Sequence, residues 1–505
     1  MHLSTLLDMS AEAFGDRVAF GSTTDGLTYA ELRHRAGLAA AWLRAKGVER
    51  VGLVDENSEV VPVLLYGAAI AGLPFAPVNY RLDDELLAAI LARTAPSVVI
   101  VEDNVPDRVG SIAGVELVTR KELQTQLDEL AEGLEPDPDP SIEDIAILLF
   151  TSGTTGEPKA AVLRHKHLGS YIIGTVEFMG ADEEEAALVS VPPYHVAGTS
   201  AVLSSVFAGR RVVYLSSFSP EGWVAQARAE HISQAMVVPT MLGRILDLLE
   251  QDGDGPHLPH LRHLSYGGGR MPVPVIERAL ALLPHVDFVN AYGLTETSST
   301  IAVLGPDDHR EAIASDDPDV RARLGSVGRP LPTLEVEIRD ADGTPLPAGR
   351  SGELYVRGEQ VAGEYLGRPD GLEDGWFPTK DAGRLDEAGY LYLEGRLDDV
   401  IVRGGENLSP GEIEDALLAH PAVADAGVVG LPDAEWGETV AAGVVLTDGR
   451  AVTVEELQTW VRRQLRSART PQHIQLRDAL PYTDTGKLLR RVLKAELAEA
   501  YGATV

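Results

Sequence analysis

Six consecutive residues without a polar side chain, Ile145–Phe150 (IAILLF), run directly into Thr151-Ser152-Gly153-Thr154-Thr155-Gly156-Glu157-Pro158-Lys159. A run this short and uniformly apolar reads as a strand buried on both faces, as in a sheet covered by helices. The loop that follows has the opposite character. Its hydroxyls and backbone N–H groups donate hydrogen bonds, its glycines let the backbone close around an anion, and Lys159 adds a point charge. Its spacing is not that of a Walker A loop, which places four residues between its glycines and Lys-Ser/Thr at its end.

The surrounding sequence fits an α/β sheet. Leu27–Val51 reads as a helix and then a strand, with Tyr29, Leu32, Ala36, Ala39 and Leu43 at helical spacing; Glu59–Ala71 reads as a helix and Pro96–Val101 as a short buried strand. Asp128–Asp144 carries eight acidic residues, no basic ones and three prolines, and is a loop. Between Arg329 and Glu394, turns such as Asp342-Gly343 and Glu387-Ala388-Gly389 separate short β runs, the pattern of a small antiparallel barrel. After Arg396-Leu397-Asp398 the chain restarts as a compact α+β segment. The expected fold is therefore α/β. A large N-terminal domain of α/β subdomains plus a small β-barrel spans 1–396, a hinge spans 397–399, and a small mobile α+β lid domain spans 400–505.

The chain is 505 residues long, 44% hydrophobic and 24% charged, which suits a multidomain globular protein. It has no cysteine, which excludes disulfides, zinc–thiolate sites and cysteine nucleophiles. A net charge of −34 argues against binding nucleic acid or anionic membranes. Val60–Tyr80 and Ala186–Gly209 lack formal charge but are broken by prolines and glycines, so no membrane span is expected. The first residues, MHLSTLLDMSAEAF, lack a basic n-region and carry Asp8 where an apolar core should run, so a cytoplasmic location is expected. Val461–Lys494 reverses the general charge, with nine basic side chains against two acidic ones. A positive segment on a negative body would focus a small polyanion toward the domain junction.

TSGTTGEPK resembles the phosphate-loop signature of the acyl-adenylate-forming enzymes: acyl-CoA synthetases, adenylation domains and firefly-type luciferases. Further segments match the family in order over nearly the whole chain. Ala291-Tyr292-Gly293-Leu294-Thr295-Glu296 resembles its YGxTE motif, and Thr379-Lys380-Asp381 stands where it has TGD. Gly395-Arg396-Leu397-Asp398 resembles its hinge, Gly404-Gly405-Glu406-Asn407 opens a GGxNxxPxEIE segment, and Pro481–Lys487 resembles PxTxTGK.

The resemblance implies a function in two steps. A carboxylate is a poor electrophile, and joining it to AMP gives it a good leaving group that a thiol can displace. Two anions meet in the first step, so cations and donors must offset their repulsion. Lys487 is the implied catalytic lysine between the carboxylate and the α-phosphate. Thr295 offers a hydroxyl to that phosphate, and Glu296 is the implied Mg²⁺ ligand. ATP is implied to contact Thr151, Ser152, Gly153, Thr154, Thr155, Gly156, Lys159, Gly268, Gly269, Asn290, Ala291, Tyr292 and Gly293. Asp381 and Arg396 would hold the ribose. His195, a further catalytic candidate, lines the implied acyl pocket with Val196, Gly198, Gly267 and Gly269. Asp398 is the implied hinge, about which the lid swings to present first Lys487 and then the thioester-forming Gly404-Gly405 loop. Trp436 is placed to stack on coenzyme A. Lys380, in place of the family glycine, would alter ribose or phosphate contacts if it pointed inward.

The sequence thus reads as a free-standing acyl-CoA synthetase using ATP, Mg²⁺ and coenzyme A, with no fused carrier domain expected. Its acid is expected to be hydrophobic and bulky: aryl, alicyclic or terpenoid. Two alternatives stand beside this reading. One is a stand-alone adenylating enzyme that loads a phosphopantetheinyl carrier protein; the other is a nucleotide-binding module without catalysis, disfavoured because Lys487, Glu296 and Asp381 are all present. The Val191–Gly198 and Leu264–Arg270 segments offer no aspartate for a substrate ammonium, which points away from amino acids. A homodimer is left open.

Overall fold

Apolar runs of four to seven residues form the parallel cores of two sheets, and the site lies along their carboxyl ends. The computed structural model describes residues 1–137, 139–151, 159–251, 257–368, 371–404, 406–433, 435–465, 467–483 and 488–503. A six-stranded sheet runs in the order Val115–Thr119, Ser97–Val101, Arg50–Val54, Phe75–Pro77, Ile145–Thr151, Lys159–Arg164. Its first five strands are parallel and its last is antiparallel. Ile145–Thr151 is buried through its centre, as the unbroken apolar run required.

A nine-stranded sheet has a parallel centre that includes Ala186–Val189, Gln234–Val237, His263–Gly267 and Asp287–Leu294. Helices with clear end signals cover both sheets. Tyr29–Lys46, for example, starts at a Thr28/Glu31 capping box and stops at Gly47 in the left-handed region. Asn57 joins the two sheets: its amide donates to the Val189 and Val191 carbonyls at 3.4 and 3.2 Å.

The region expected as a small barrel is a four-stranded antiparallel sheet, Glu335–Arg339, Gly352–Arg357, Phe377–Leu385 and Leu391–Arg396. Its outer strands do not pair with each other among the described residues. Its apolar face closes instead on Ile301 and Ala302 of the nine-stranded sheet. A 3₁₀ turn, Leu397–Asp399, then leads to the C-terminal α+β unit. There Val423–Asp433 and Gly437–Leu446 form a long antiparallel pair, and helices Pro410–Leu418, Val454–Gln464 and Arg490–Tyr501 pack on the sheet. Among the described residues no helix is long and apolar enough to cross a membrane.

Candidate active site

Strand Asp287–Leu294 carries Asn290, Ala291, Tyr292 and Gly293 to its carboxyl end, where a 3₁₀ turn presents Thr295 and Glu296. Gly293 is dictated by the turn, because a Cβ there would lie 1.6 Å from the Ser299 carbonyl oxygen. Asn290 is buried in the sheet and its amide donates to the Ser326 carbonyl at 3.2 Å. The backbone of Glu296 is clamped as well, its carbonyl accepting from Ala362 and Gly363 N–H at 2.8 and 3.2 Å.

Two carboxylate clusters flank this turn. In the first, the Tyr292 hydroxyl donates to Asp381 Oδ2 at 2.5 Å. Arg396 Nε stands 3.1 Å from Asp381 Oδ1. Asp381 and Arg396 are register partners on adjacent antiparallel strands, so the sheet sets their spacing. Arg396 Nη1 also donates to the Thr379 carbonyl at 2.8 Å. Burial, and then the charge of Asp381, raise the Tyr292 pKa well above the usual phenol value, so this hydroxyl remains a donor.

In the second cluster the Tyr365 hydroxyl donates to Glu296 Oε1 at 2.5 Å. Lys159 Nζ lies 5.6 Å from the centre of the Tyr365 ring. Tyr365 is held by main-chain pairing, since Val162 N–H donates to the Glu364 carbonyl and Leu366 N–H to the Ala160 carbonyl, each at 2.9 Å. Burial, followed by the Glu296 charge, pushes the Tyr365 phenol upward too. Lys159 and Thr151, the two ends of the loop singled out in the sequence, are register partners on adjacent antiparallel strands. Ser152, Gly153, Thr154, Thr155 and Gly156 lie outside the described residues.

His195 caps helix Val196–Ala208, with Val196 half-buried behind it. Burial lowers its pKa to about 4, so it is neutral near pH 7. Its Nε2 is enclosed without a hydrogen-bond partner among the described residues. The Tyr194 ring centre is 4.6 Å from that of His195, and Tyr80 meets Tyr194 edge-on at 5.6 Å. Gly198 and Gly267 are explained by close backbone approach: a Cβ would lie 2.5 Å from the Pro192 carbonyl oxygen at Gly198, and 2.3 Å from that of Ala291 at Gly267. Gly268 has φ +76° and is exposed. Gly269 has space around it, its nearest neighbours being Pro239 carbons at 3.8 Å.

In the C-terminal unit Gly404 and Trp436 come together. Gly404 N–H donates to the Trp436 carbonyl at 2.8 Å, and the indole is 48% exposed. Asp398 sits exposed in the 3₁₀ turn. Gly405 and Lys487 lie outside the described residues. Within Pro481–Lys487 the described Tyr482 donates its hydroxyl to both Asp425 carboxylate oxygens at 2.9 Å. Lys380 points outward, 64% exposed, with Nζ 3.3 Å from Glu353 Oε1. Its φ of +62° explains why a glycine suits that position.

Two site-flanking residues, Tyr365 and Arg270, carry no sequence signal of their own. Each acts through a partner far along the chain: Glu296 for Tyr365 and Asp415 for Arg270.

Comparison with known proteins agrees with this arrangement. The AMP-binding enzyme family matches residues 7–366, and the AMP-binding enzyme C-terminal domain matches 412–487. The chain belongs to the AMP-binding enzyme family. It is an acyl-adenylate-forming enzyme, as the sequence resemblance implied. A feruloyl-CoA synthase from Amycolatopsis is 33% identical over 94% of this chain and 94% of its own length. A fatty acid–[acyl-carrier-protein] ligase, ScoC, from Streptomyces coeruleorubidus is also 33% identical, over 93% of this chain and 91% of its own. The crystal structure of ATP-bound MatB from Rhodopseudomonas palustris superposes with a TM-score of 0.86 at 27% identity, covering 99% of this chain and 100% of that one. The same protein without ATP superposes at 0.78, with equal identity and coverage.

Proposed function

We propose that this AMP-binding enzyme joins a bulky, hydrophobic carboxylic acid, of aryl type before alicyclic or terpenoid, to coenzyme A in two steps. Acid and ATP give acyl-AMP and pyrophosphate; the coenzyme A thiol then displaces AMP to give the thioester. The observation that carries the reading is the pair of carboxylate clusters, Asp381 with Tyr292 and Arg396, and Glu296 with Tyr365 beside Lys159. They stand on either side of one strand-to-turn segment.

Each assigned role follows from local chemistry. Asp381, an ionised acceptor at a sheet-defined position, takes the ribose hydroxyls, with Arg396 beside it. Tyr292 and the Gly267–Gly269 backbone offer flat, close-approach surfaces to adenine. The Thr151–Lys159 loop takes the β- and γ-phosphates, and Thr295 faces the α-phosphate. Mg²⁺ is a hard cation that usually takes one or two carboxylates together with phosphate oxygens and water. Glu296 Oε1 has a phenol partner and no ion pair among the described residues, a donor set that fits such an ion. When bound, the ion would neutralise phosphate charge. Lys487 stabilises the charge that develops as carboxylate meets α-phosphate, a type of contribution worth roughly 3–4 kcal/mol. His195, neutral and enclosed, lines the acid pocket without adding a charge that would favour a second carboxylate.

The domain division at 397–399, with Asp398 as pivot, belongs to the same proposal. The two chemical steps need different groups within hydrogen-bond reach, so the lid must present Lys487 first and the Gly404-Gly405 loop second. The exposed Trp436 beside Gly404 suits an adenine ring of coenzyme A. We place the enzyme in the cytoplasm, consistent with the absence of cysteine. A second reading, transfer to a phosphopantetheinyl carrier protein, is favoured by the similarity to ScoC, named as a ligase acting with such a carrier.

The test is an acid panel in acid-dependent pyrophosphate–ATP exchange, followed by mass spectrometry with and without coenzyme A. Exchange with aryl acids and an acyl-CoA product support the proposal, whereas exchange without an acyl-CoA product favours the carrier reading. Lys487→Ala should abolish exchange while sparing thioester formation from supplied acyl-AMP. Intact exchange in that variant would remove Lys487 from the mechanism.

A further inference from the structure

Arg270 directly follows the Gly267–Gly269 run at the rim of the proposed nucleotide and acid site. Its guanidinium reaches out of the N-terminal domain. Nη1 donates to Asp415 Oδ1 at 2.8 Å and Nη2 to Asp415 Oδ2 at 2.5 Å. Nη1 also donates to the Gly411 carbonyl at 2.6 Å. Both partners lie on helix Pro410–Leu418 of the C-terminal unit. The fit is close: a Cβ on Gly411 would lie 2.6 Å from Arg270 Nε and 2.7 Å from Cδ and Cζ. The pair is partly shielded, with side-chain exposures of 35% for Arg270 and 22% for Asp415.

The other acids of this helix are engaged within their own domain. Glu412 takes Arg469 at 2.7 Å, and Glu414 takes the fork of Arg490, with Nη2 to Oε2 at 2.9 Å. Asp415 is the acid that reaches across. Its environment makes the bond consequential. Burial raises its pKa, Glu414 and Glu412 raise it further, and Arg270 is the group that counters them. An Asp415 separated from Arg270 would keep the two repulsive neighbours and lose the attractive one.

We propose that the Arg270–Asp415 ion pair is an interdomain latch that holds the lid in the ATP-loaded orientation, making both residues positioning residues for the first half-reaction. The proposal rests on the two-step reading above. The arrangement of this chain agrees more closely with ATP-bound MatB than with MatB lacking ATP, 0.86 against 0.78 at equal identity and coverage. Swinging the lid about Asp398 carries helix Pro410–Leu418 off Arg270, so the bidentate pair must break before the thioester-forming pose is reached. Its strength therefore weights one orientation against the other, and salt weakens it.

The chain has no cysteine, so one can be introduced on each domain without background. Glu221→Cys and Asp448→Cys, both at exposed positions, carry a spin-label pair that reports interdomain distance in the presence of ATP. Asp415→Asn and Arg270→Gln should each lower the ratio of the latched to the alternative orientation by roughly three- to tenfold at low salt. Arg270→Lys, which keeps the charge and loses the fork, should fall between these variants and the unmodified protein. High salt should move the unmodified protein toward the two charge-loss variants. In parallel, Asp415→Asn should slow pyrophosphate exchange and leave transfer from supplied acyl-AMP to coenzyme A undiminished. The same distance distribution in all four proteins overturns the latch, as does an equal fall of both half-reactions. Failure of the two-step reading is separately visible as absence of exchange in the unmodified protein with every acid, whatever the distances show.

Discussion

Replacing Asp381 with Asn changes one atom type and tests the ribose assignment directly. Asp381 is 7% exposed and already oriented by Tyr292 at 2.5 Å and Arg396 at 3.1 Å. An amide of the same shape keeps the packing. It turns two charge-assisted bonds from the ribose hydroxyls into neutral ones, a loss of about 1 kcal/mol each. The sum of about 2 kcal/mol corresponds to roughly thirtyfold weaker ATP binding. The substitution also leaves Arg396 without its carboxylate, a cost unrelated to ribose. Titration calorimetry with ATP and with 2′,3′-dideoxy-ATP separates the two, because the Arg396 cost is common to both nucleotides and cancels. The expected result is a loss near thirtyfold for ATP and little change for the dideoxy analogue beyond the common cost. Equal losses for both would show that Asp381 does not touch the ribose, and the nucleotide would have to be turned around in the site.

Three further outcomes follow from the same geometry. Tyr365→Phe removes the donor that orients Glu296 and should raise the Mg²⁺ concentration needed for half-maximal exchange about tenfold, with unchanged thioester formation from supplied acyl-AMP; an unchanged Mg²⁺ dependence would detach Glu296 from the metal. Lys380→Gly relieves a left-handed residue that is 64% exposed and should stabilise the N-terminal domain by up to about 1 kcal/mol, read as a higher denaturant midpoint. His2, His167 and His195 have pKa values lowered from 6.5 to about 4 and His165 to about 3, all chiefly by burial. Above pH 6.5 both folded and unfolded forms are neutral; below it the unfolded chain binds protons first, so stability should fall by up to about 1.4 kcal/mol per pH unit per histidine toward pH 4. A flat denaturant midpoint between pH 7 and 5 would contradict this.

What the sequence made legible follows from the range of the interactions involved. Ile145–Phe150 was readable because burial on both faces leaves a uniform apolar run, and the helix through Tyr29, Leu32, Ala36, Ala39 and Leu43 because helix spacing is local. The structure runs that helix to Lys46, where Gly47 in the left-handed region ends it. Gly293 and Gly267 matched motifs, but the reason for each is a carbonyl on a neighbouring strand, at 1.6 and 2.3 Å from where a Cβ would sit. Tyr365 and Arg270 were not legible at all. Their partners lie 69 and 145 residues away, and no local periodicity encodes such pairs. Lys380 was intermediate: the motif shows that a glycine is usual there, and the positive φ supplies the cause.

The choice of donors around the two carboxylates has a consequence for how an acidic protein handles a polyanion. Asp381 and Glu296 are each held by a phenol at 2.5 Å. A phenol fixes a carboxylate in place without cancelling its charge, and burial together with that charge keeps both phenols protonated. At Glu296 the phenol thus brings no compensating positive charge, where a lysine or arginine partner would. Lys159 Nζ lies instead over the Tyr365 ring, 5.6 Å from its centre, within cation–π range of the aromatic face. On the proposed assignment, the positive charge the substrate needs would come from its own Mg²⁺, from Lys159 and from the basic C-terminal segment that carries Lys487. With phosphates and carboxylates sharing these cations as proposed, a net charge of −34 and the binding of ATP are compatible.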